Sequence, residues 1–379
     1  MRSDATSGER RRAWMLDLLR ALACVLIVWH HLAFYGPMSD AALVLSPGLM
    51  DWLFEHGRVA VQVFLVCSGY LTAQALSRTP SLSAGSVLGL LARRYLRLVL
   101  PMLAAMSVVV VLSELVRPFF DHPSLSAPPT WGQALAHLLL VHDWLDYEAF
   151  SAGLWYVAID LQLFALAVGS AWLGGRWRWG LWTMLCLLSL WRWNLNADLD
   201  EYGLYFFGAY GLGLLAWRVR HLPHAGRVHW GWLALLVLGA LALWLEWRWR
   251  VAVAWTVALT LAGAPATWMG EAAGKPLPAA RPIAWMAENS YAIFLIHFPV
   301  SLLVSALVSQ VAAEAPWPNA MGMMGSFALS LWAGHALHVA LEGAAPTWRR
   351  WALWALVLGL SVGVAQGLHA GLMPAAQLD

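Results

Sequence analysis

Arg20 and His31 lie eleven positions apart in the first strongly apolar segment of the chain, which runs from Leu16-Asp17-Leu18-Leu19-Arg20 to Val28-Trp29-His30-His31. Ionisable side chains are costly inside a lipid-spanning helix, so each one is a functional candidate from the outset. At about 100° per residue, eleven positions return His31 to within about 20° of Arg20 on one helix face, about 16 Å further along the axis. A cation at one depth and a titratable imidazole three turns away could grip a long, anionic, reactive substrate. Asp17, Cys24 and Ile27 share the same stripe, which must face protein or a water-filled cavity. His30 is rotated about 80° from Arg20 and reads as structural.

Further along, Leu154-Trp155-Tyr156-Val157-Ala158-Ile159-Asp160 places a carboxylate inside an apolar run. Asp160 can orient an imidazole, pair with an arginine, or carry protons as such groups do in transporters. His297, within Ser290-Tyr291-Ala292-Ile293-Phe294-Leu295-Ile296-His297-Phe298-Pro299, is a second base or a hydrogen-bond partner. Arg93, Arg94 and Arg97 open another apolar run. Arginines there commonly set topology, and their planar forks also suit phosphate. Ser68-Gly69 in mid-segment permits close helix packing. His335 and His338 are one turn apart, but lack the companion carboxylate or cysteine of a metal site. No glycine-rich phosphate loop, zinc signature or nucleophile elbow stands out.

The elements that must position these residues are helical. Hydrophobic residues make up 61% of the 379 and charged ones 12%, a balance that indicates a polytopic all-α integral membrane protein rather than a soluble globule. Eleven spans are expected, over 14–35, 57–77, 96–116, 153–173, 179–192, 202–217, 230–247, 251–269, 284–311, 321–341 and 351–370, a count of about 10–11. Many of the 26 tryptophans stand at segment ends, where the amphipathic ring favours the membrane interface. Arginine-rich loops alternate with acidic ones. Arg78, Arg93, Arg176, Arg178, Arg218, Arg220, Arg227, Lys275, Arg281 and Arg349 fall on one side, and Asp40, Asp121, Asp143, Asp200 and Glu201 on the other. The bias predicts a cytoplasmic amino terminus; Arg248 and Arg250 alone fall outside the pattern. The loop over 117–152 holds the apolar stretch Ala134–Val141, read as a re-entrant or interfacial helix. The basic arm 1–13 leads into an uncleaved first span, because the apolar run is too long for a signal peptide. One membrane domain over 1–379 with no fused soluble domain is expected. No basic patch suggests nucleic acid, and Cys24, Cys67 and Cys186 read as small buried hydrophobes.

These motifs resemble, in order, those of the acyltransferase 3 family of integral membrane acyltransferases. The family's first-helix pattern is similar to Asp17-Leu18-Leu19-Arg20-Ala21-Leu22-Ala23 followed by His31. Its phenylalanine-rich run into Ser-Gly-Tyr/Phe-Leu is similar to Val63-Phe64-Leu65-Val66-Cys67-Ser68-Gly69-Tyr70-Leu71. Its Arg-Arg-x-x-Arg-x-x-x-Pro element is matched by Arg93, Arg94, Arg97 and Pro101, its Leu-Trp and following acid by Trp155 and Asp160, and its Ser-Tyr-x-Ile motif by Ser290, Tyr291, Ile293, His297 and Pro299. Two positions depart from the pattern: Gln62 stands where an acid is common, and Asp160 where glutamate is usual.

The resemblance implies transfer of an acyl group, often acetyl, from cytoplasmic acyl-CoA to an extracytoplasmic hydroxyl of a glycan, glycolipid or small glycoside, in a bacterial inner membrane. In that scheme His31 is the general base, with Asp160 and His297 as further catalytic candidates. Arg20, Arg93, Arg94 and Arg97 hold the donor, Ser68, Trp155 and Tyr291 contact substrate, and no metal is required. The rival reading is a proton-coupled transporter or flippase that uses Arg20, Asp160 and His297.

Overall fold

The structure is a computed structural model that describes residues 12–79, 81–222, 227–272 and 280–372. Most of the basic amino-terminal arm, and Lys275, lie outside the described residues, as does the side chain of Arg227. In chain order the helices are α1 Trp14–Phe34, α2 Met38–Ala42, α3 Pro47–His56, α4 Ala60–Ser77, α5 Ala84–Val116, α6 Trp131–Leu138 and α7 Leu154–Gly174. Then follow α8 Arg178–Trp191, α9 Gly203–Arg220, α10 Arg227–Leu245, α11 Trp249–Gly263, α12 Ala280–Ala312, α13 Pro316–Leu337 and α14 Trp348–Leu372. Strands are absent among the described residues.

Each of the eleven expected apolar segments is helical, yet by length and apolarity seven runs qualify to cross a membrane. Two of the expected spans merge in the run Leu154–Leu195, while Trp230–Leu245 and Trp249–Gly263 are apolar but short. The helix α9 ends in Arg218-Val219-Arg220 and is buried along nearly all its length. Neighbouring helices rather than lipid cover it, so its composition need not match a bilayer. The larger difference is at α5, which begins twelve residues before the expected 96. Ser83 caps it, its hydroxyl accepting from the Ser86 N–H at 3.2 Å. Arg93, Arg94 and Arg97 therefore sit in the body of a helix and not at its entrance.

The bundle buries a set of polar side chains within an apolar core and exposes large apolar ones. Asp160, Glu114, Asn289 and His297 are each about 1% exposed, whereas Trp244, Trp332, Leu356 and Leu360 lie open on the outside. Burial of charge with exposure of large apolar side chains inverts the soluble pattern and suits a lipid surround. The chain is an integral membrane protein. At the core α4 and α9 touch backbone to backbone: a Cβ on Gly69 would collide with the Tyr210 carbonyl, and one on Gly213 with that of Val66. The Ser68-Gly69 pair thus plays its expected packing role. The loop between α5 and α7 carries α6, opened by a capping box in which Thr130 and Gln133 satisfy each other's backbone N–H groups.

Candidate active site

The polar stripe of α1 faces α12. Arg20 Nη2 donates to Ser290 Oγ at 3.2 Å, Cys24 Sγ lies 3.7 Å from the Ser290 carbonyl, and His31 Nδ1 meets His297 Nε2 at 2.7 Å. Below them Arg12 pairs with Asp17 and with Glu288 (2.6 Å) and donates to the Ala284 carbonyl at 3.0 Å. The two helices are therefore pinned at the level of Arg12, at Arg20 and at His31. Burial of Arg12 works against its charge, but the carboxylates of Asp17 and Glu288 raise its pKa overall. His30 turns away, its Nδ1 donating to the Leu53 carbonyl at 2.8 Å.

The imidazole pair fixes its own tautomers. The rings are nearly parallel, 6° apart, with centroids 4.9 Å apart. Nitrogens 2.7 Å apart at that centroid distance mean rings joined edge to edge, in plane. His297 Nδ1 lies 2.7 Å from the Phe294 carbonyl, which can only accept, so that nitrogen carries the hydrogen. In the neutral ring His297 Nε2 is then an acceptor, and His31 Nδ1 must be the donor facing it. The remaining nitrogen, His31 Nε2, holds a free lone pair. Among the described residues it has no partner, and His31 keeps some accessible surface within the bundle.

A cavity of about 560 Å³ is lined by residues of α1, α4, α5, α7 and α12; neither imidazole lines it, and the pair reaches its wall through the Phe294 ring, 6.0 Å from that of His297. Its cationic wall holds Arg20, Arg94 and Arg97. Its inner end is aromatic: Phe64 and Tyr156 have ring centroids 6.2 Å apart, Tyr156 and Phe294 5.5 Å, and Phe294 and His297 6.0 Å. The opposite wall is a π-helical turn, His338–Glu342, in which His338 Nδ1 lies 3.2 Å from Glu342 Oε2 without hydrogen-bond alignment.

The three arginines of α5 have three different fates. Arg94 is bound bidentately to Asp160, with Nε donating to Oδ2 at 2.9 Å and Nη2 to Oδ1 at 2.7 Å. Ser68 Oγ completes the cluster, 3.0 Å from both Asp160 Oδ1 and Arg94 Nη2. The guanidinium also lies over the Phe164 ring at 5.4 Å. Arg97 lines the cavity and, among the described residues, has no hydrogen-bond or ion-pair partner. Arg93 lies outside the cavity wall and donates to the Gly89 carbonyl of its own helix at 3.1 Å.

Of the residues expected to act, the fold brings together His31 with His297, and Arg20, Ser68, Arg94, Arg97, Asp160 and Tyr291 around the cavity. Asp160 takes the arginine partner rather than an imidazole. Tyr291 lends its ring to the wall, while its hydroxyl donates to the Leu98 carbonyl at 2.7 Å. Trp155 belongs elsewhere: with Gln62, Tyr205 and Trp249 it lines a second cavity of about 540 Å³, which shares only Val61 with the first. Sequence reasoning missed the aromatic end formed by Phe64 and Tyr156 and the wall made by Glu342. The only signal for the former was the tyrosine next to Trp155.

A model of the family described as "Acyltransferase domain" matches residues 14–370. The chain is also similar to "Regulator of hypoxia-inducible factor 1" of Caenorhabditis elegans, 25% identical over 166 residues that make up 40% of this chain and 33% of that protein. The chain spans about a third of the length of that curated relative. No solved structure matches. With nearly the whole chain matched, the protein belongs to the acyltransferase 3 family of membrane acyltransferases.

Proposed function

We propose that this acyltransferase moves an acyl group, acetyl in the simplest case, from acyl-CoA to the hydroxyl of a glycan, glycolipid or small glycoside, with His31 as general base. The observation that carries the reading is the open lone pair of His31 Nε2, held by His297, whose ring packs on Phe294 in the wall of the arginine-lined cavity. In the transfer step His31 Nε2 takes the hydroxyl proton as the acceptor oxygen attacks the thioester carbonyl. The new C–O bond forms, the C–S bond breaks, and the proton leaves with the coenzyme thiol. The transient imidazolium is stabilised through Nδ1–H to His297 and on to the Phe294 carbonyl. No metal is needed for these steps.

Donor binding falls to Arg97 and Arg20. Among the described residues Arg97 has no hydrogen-bond or ion-pair partner, though it and Arg20 lie within electrostatic reach of Glu342, and Arg20 spends one nitrogen on Ser290. Both are free to meet phosphate oxygens. Arg94 already has a buried counter-ion, so its role is to hold α5 against α7 at the cavity wall. The charge bias of the loops supports an orientation with the amino terminus and the Arg20 end in the cytoplasm. Donor then enters from that side and the acceptor meets His31 from the other, as in a bacterial inner membrane. The transporter reading loses its carboxylate, because Asp160 is engaged on both oxygens.

The test compares cells with and without the active protein by mass spectrometry of surface glycans and glycolipids, alongside thiol release from acetyl-CoA by the purified protein. The expected result is a product heavier by one acyl group and release that depends on His31. Solute flux across sealed vesicles without any covalent product would overturn the reading.

A further inference from the structure

The second cavity carries chemistry that the donor cavity lacks. Gln62 is 7% exposed and lines it, and among the described residues its amide has no hydrogen-bond partner. Its amide atoms are not sealed off from the cavity, so its donors and acceptor are open to a ligand there. Around it stand aromatic faces. Trp155 is half-buried and in contact with Phe206, centroids 5.6 Å apart, while Tyr205 and Trp249 complete that wall. The cations of this cavity are mostly spent. Arg248 donates to Asn194 Oδ1 at 2.9 Å and to the Leu190 carbonyl at 3.0 Å, and Arg250 donates to the Asn194 carbonyl at 2.8 Å. Glu55, Asp143, Asp200 and Glu201 line the same space. Burial and the charge of Asp200 raise the pKa of Asp143, and neighbouring carboxylates add to the rise at Glu201. What the cavity leaves open is acceptor oxygen, one amide, the guanidinium of Arg58 and ring faces.

The geometry points to this cavity as the acceptor site, built for an uncharged saccharide whose hydroxyls donate to the carboxylates, whose ring lies on Trp155, and one of whose hydroxyls is held by Gln62. The inference rests on the acyl-transfer reading above and names its acceptor class. An anionic sugar would meet four carboxylates against a single guanidinium uncommitted among the described residues, that of Arg58, so it is disfavoured. Position supports the assignment. Val61 lines both cavities, and the rings run from Trp155 to Tyr156 (6.3 Å), Phe294 and His297. An acceptor on Trp155 is thus separated from the donor cavity by one layer of side chains, the layer that borders the imidazole pair. Gln62 is also where the chain departs from the acid common in the family pattern. An amide there can both give and take a hydrogen bond without adding a fifth negative charge.

The experiment is saturation-transfer NMR on the full chain in lipid nanodiscs. The probes are methyl β-D-glucoside, methyl β-D-galactoside and methyl α-D-mannoside, with methyl β-D-glucuronide as the charged control. At least one neutral glycoside is expected to show ring-proton saturation, at least fivefold above the glucuronide. Gln62→Leu and Trp155→Ala should each abolish that signal, and Trp155→Phe should retain it. CoA binding by each variant serves as the check that it is folded. Absence of saturation from all three neutral probes, equal binding of the glucuronide, or a signal that survives both Gln62→Leu and Trp155→Ala would overturn the assignment. The two readings fail separately: glycoside binding without His31-dependent thiol release sinks the acyl-transfer reading, and thiol release without glycoside binding sinks this one.

Discussion

Two of the histidine pairs brought together across the chain among the described residues, His31 with His297 and His137 with His142, meet differently. His31 and His297 join edge to edge, one nitrogen to one nitrogen, and leave His31 Nε2 open. His137 and His142, in and just after α6, lie face to face with centroids 4.0 Å apart and planes 14° apart, and His137 packs on Phe150. His137 has no spare nitrogen, since Nδ1 donates to the Gln133 carbonyl at 2.8 Å and Nε2 accepts the Phe150 N–H at 3.4 Å. Both nitrogens of His142 are buried without partners among the described residues. One pair is arranged to receive a proton, and the other to be packed as neutral rings. Residue type is the same in both; in-plane against stacked geometry decides the chemistry.

The comparison breaks most sharply at His31. Without its imidazole no group near the thioester removes the hydroxyl proton, and general-base catalysis contributes on the order of 10²–10⁴-fold. His31→Ala is expected to lower acyl transfer by about that factor in membranes at matched expression, as read by acetyl-CoA-dependent product formation. Transfer within twofold of the unaltered protein would remove the functional distinction between the pairs.

At the His137–His142 pair the expected effect is on stability. Burial lowers the pKa of His142 to about 4, and burial together with His142 lowers that of His137 to about 3. The groups facing His142 are the His137 ring and the Asp143 carboxylate, 3.6 Å away. An unfolded histidine takes its proton near pH 6.5, so between pH 6.5 and 4 the opened chain binds more protons than the folded one. Stability from this ring is therefore complete above pH 6.5 and is lost as the pH falls toward 4, by about 3 kcal/mol. His142→Phe should flatten that loss, seen as a smaller drop in thermal midpoint between pH 7 and pH 4.5. An undiminished drop would mean the stacked pair is not what acid attacks.

The sequence made one pair half legible and the other not at all. Arg20 and His31 sit on a single helix, so helical period alone relates them, and α1 carries both as the spacing requires. His297 was visible as a candidate but not as a partner, because the contact spans 266 residues of chain. The same holds for Asp160. Its type and depth were readable, but its choice of Arg94 depended on α5 starting at Ala84, which places Arg94 in mid-helix. His137 and His142 lie five positions apart across the end of α6. No helical period brings them together, and the stack needs Leu140 in a left-handed turn (φ 58°) to fold the chain back. Spans were read from apolarity, which cannot tell a lipid-facing helix from one such as α9 that protein surrounds.

The finest distinction between the pairs lies in what His297 contributes. Its Nε2 accepts from His31 Nδ1, and that bond alone keeps the other nitrogen of His31 unprotonated. The role is one of positioning, so it depends on an acceptor at that point rather than on an imidazole. His297→Gln can place an amide oxygen there and keep the tautomer; transfer is expected to fall by no more than about tenfold. His297→Ala leaves Nδ1–H unpaired and frees the ring to shift its proton to Nε2, the nitrogen that must be bare for a base. A wrong tautomer is a far larger loss than a lost contact, so alanine should fall well below glutamine, with the deficit in kcat rather than in the KM for acetyl-CoA. Equal activities for the two variants would mean that the pair, like His137 and His142, is held together only by packing.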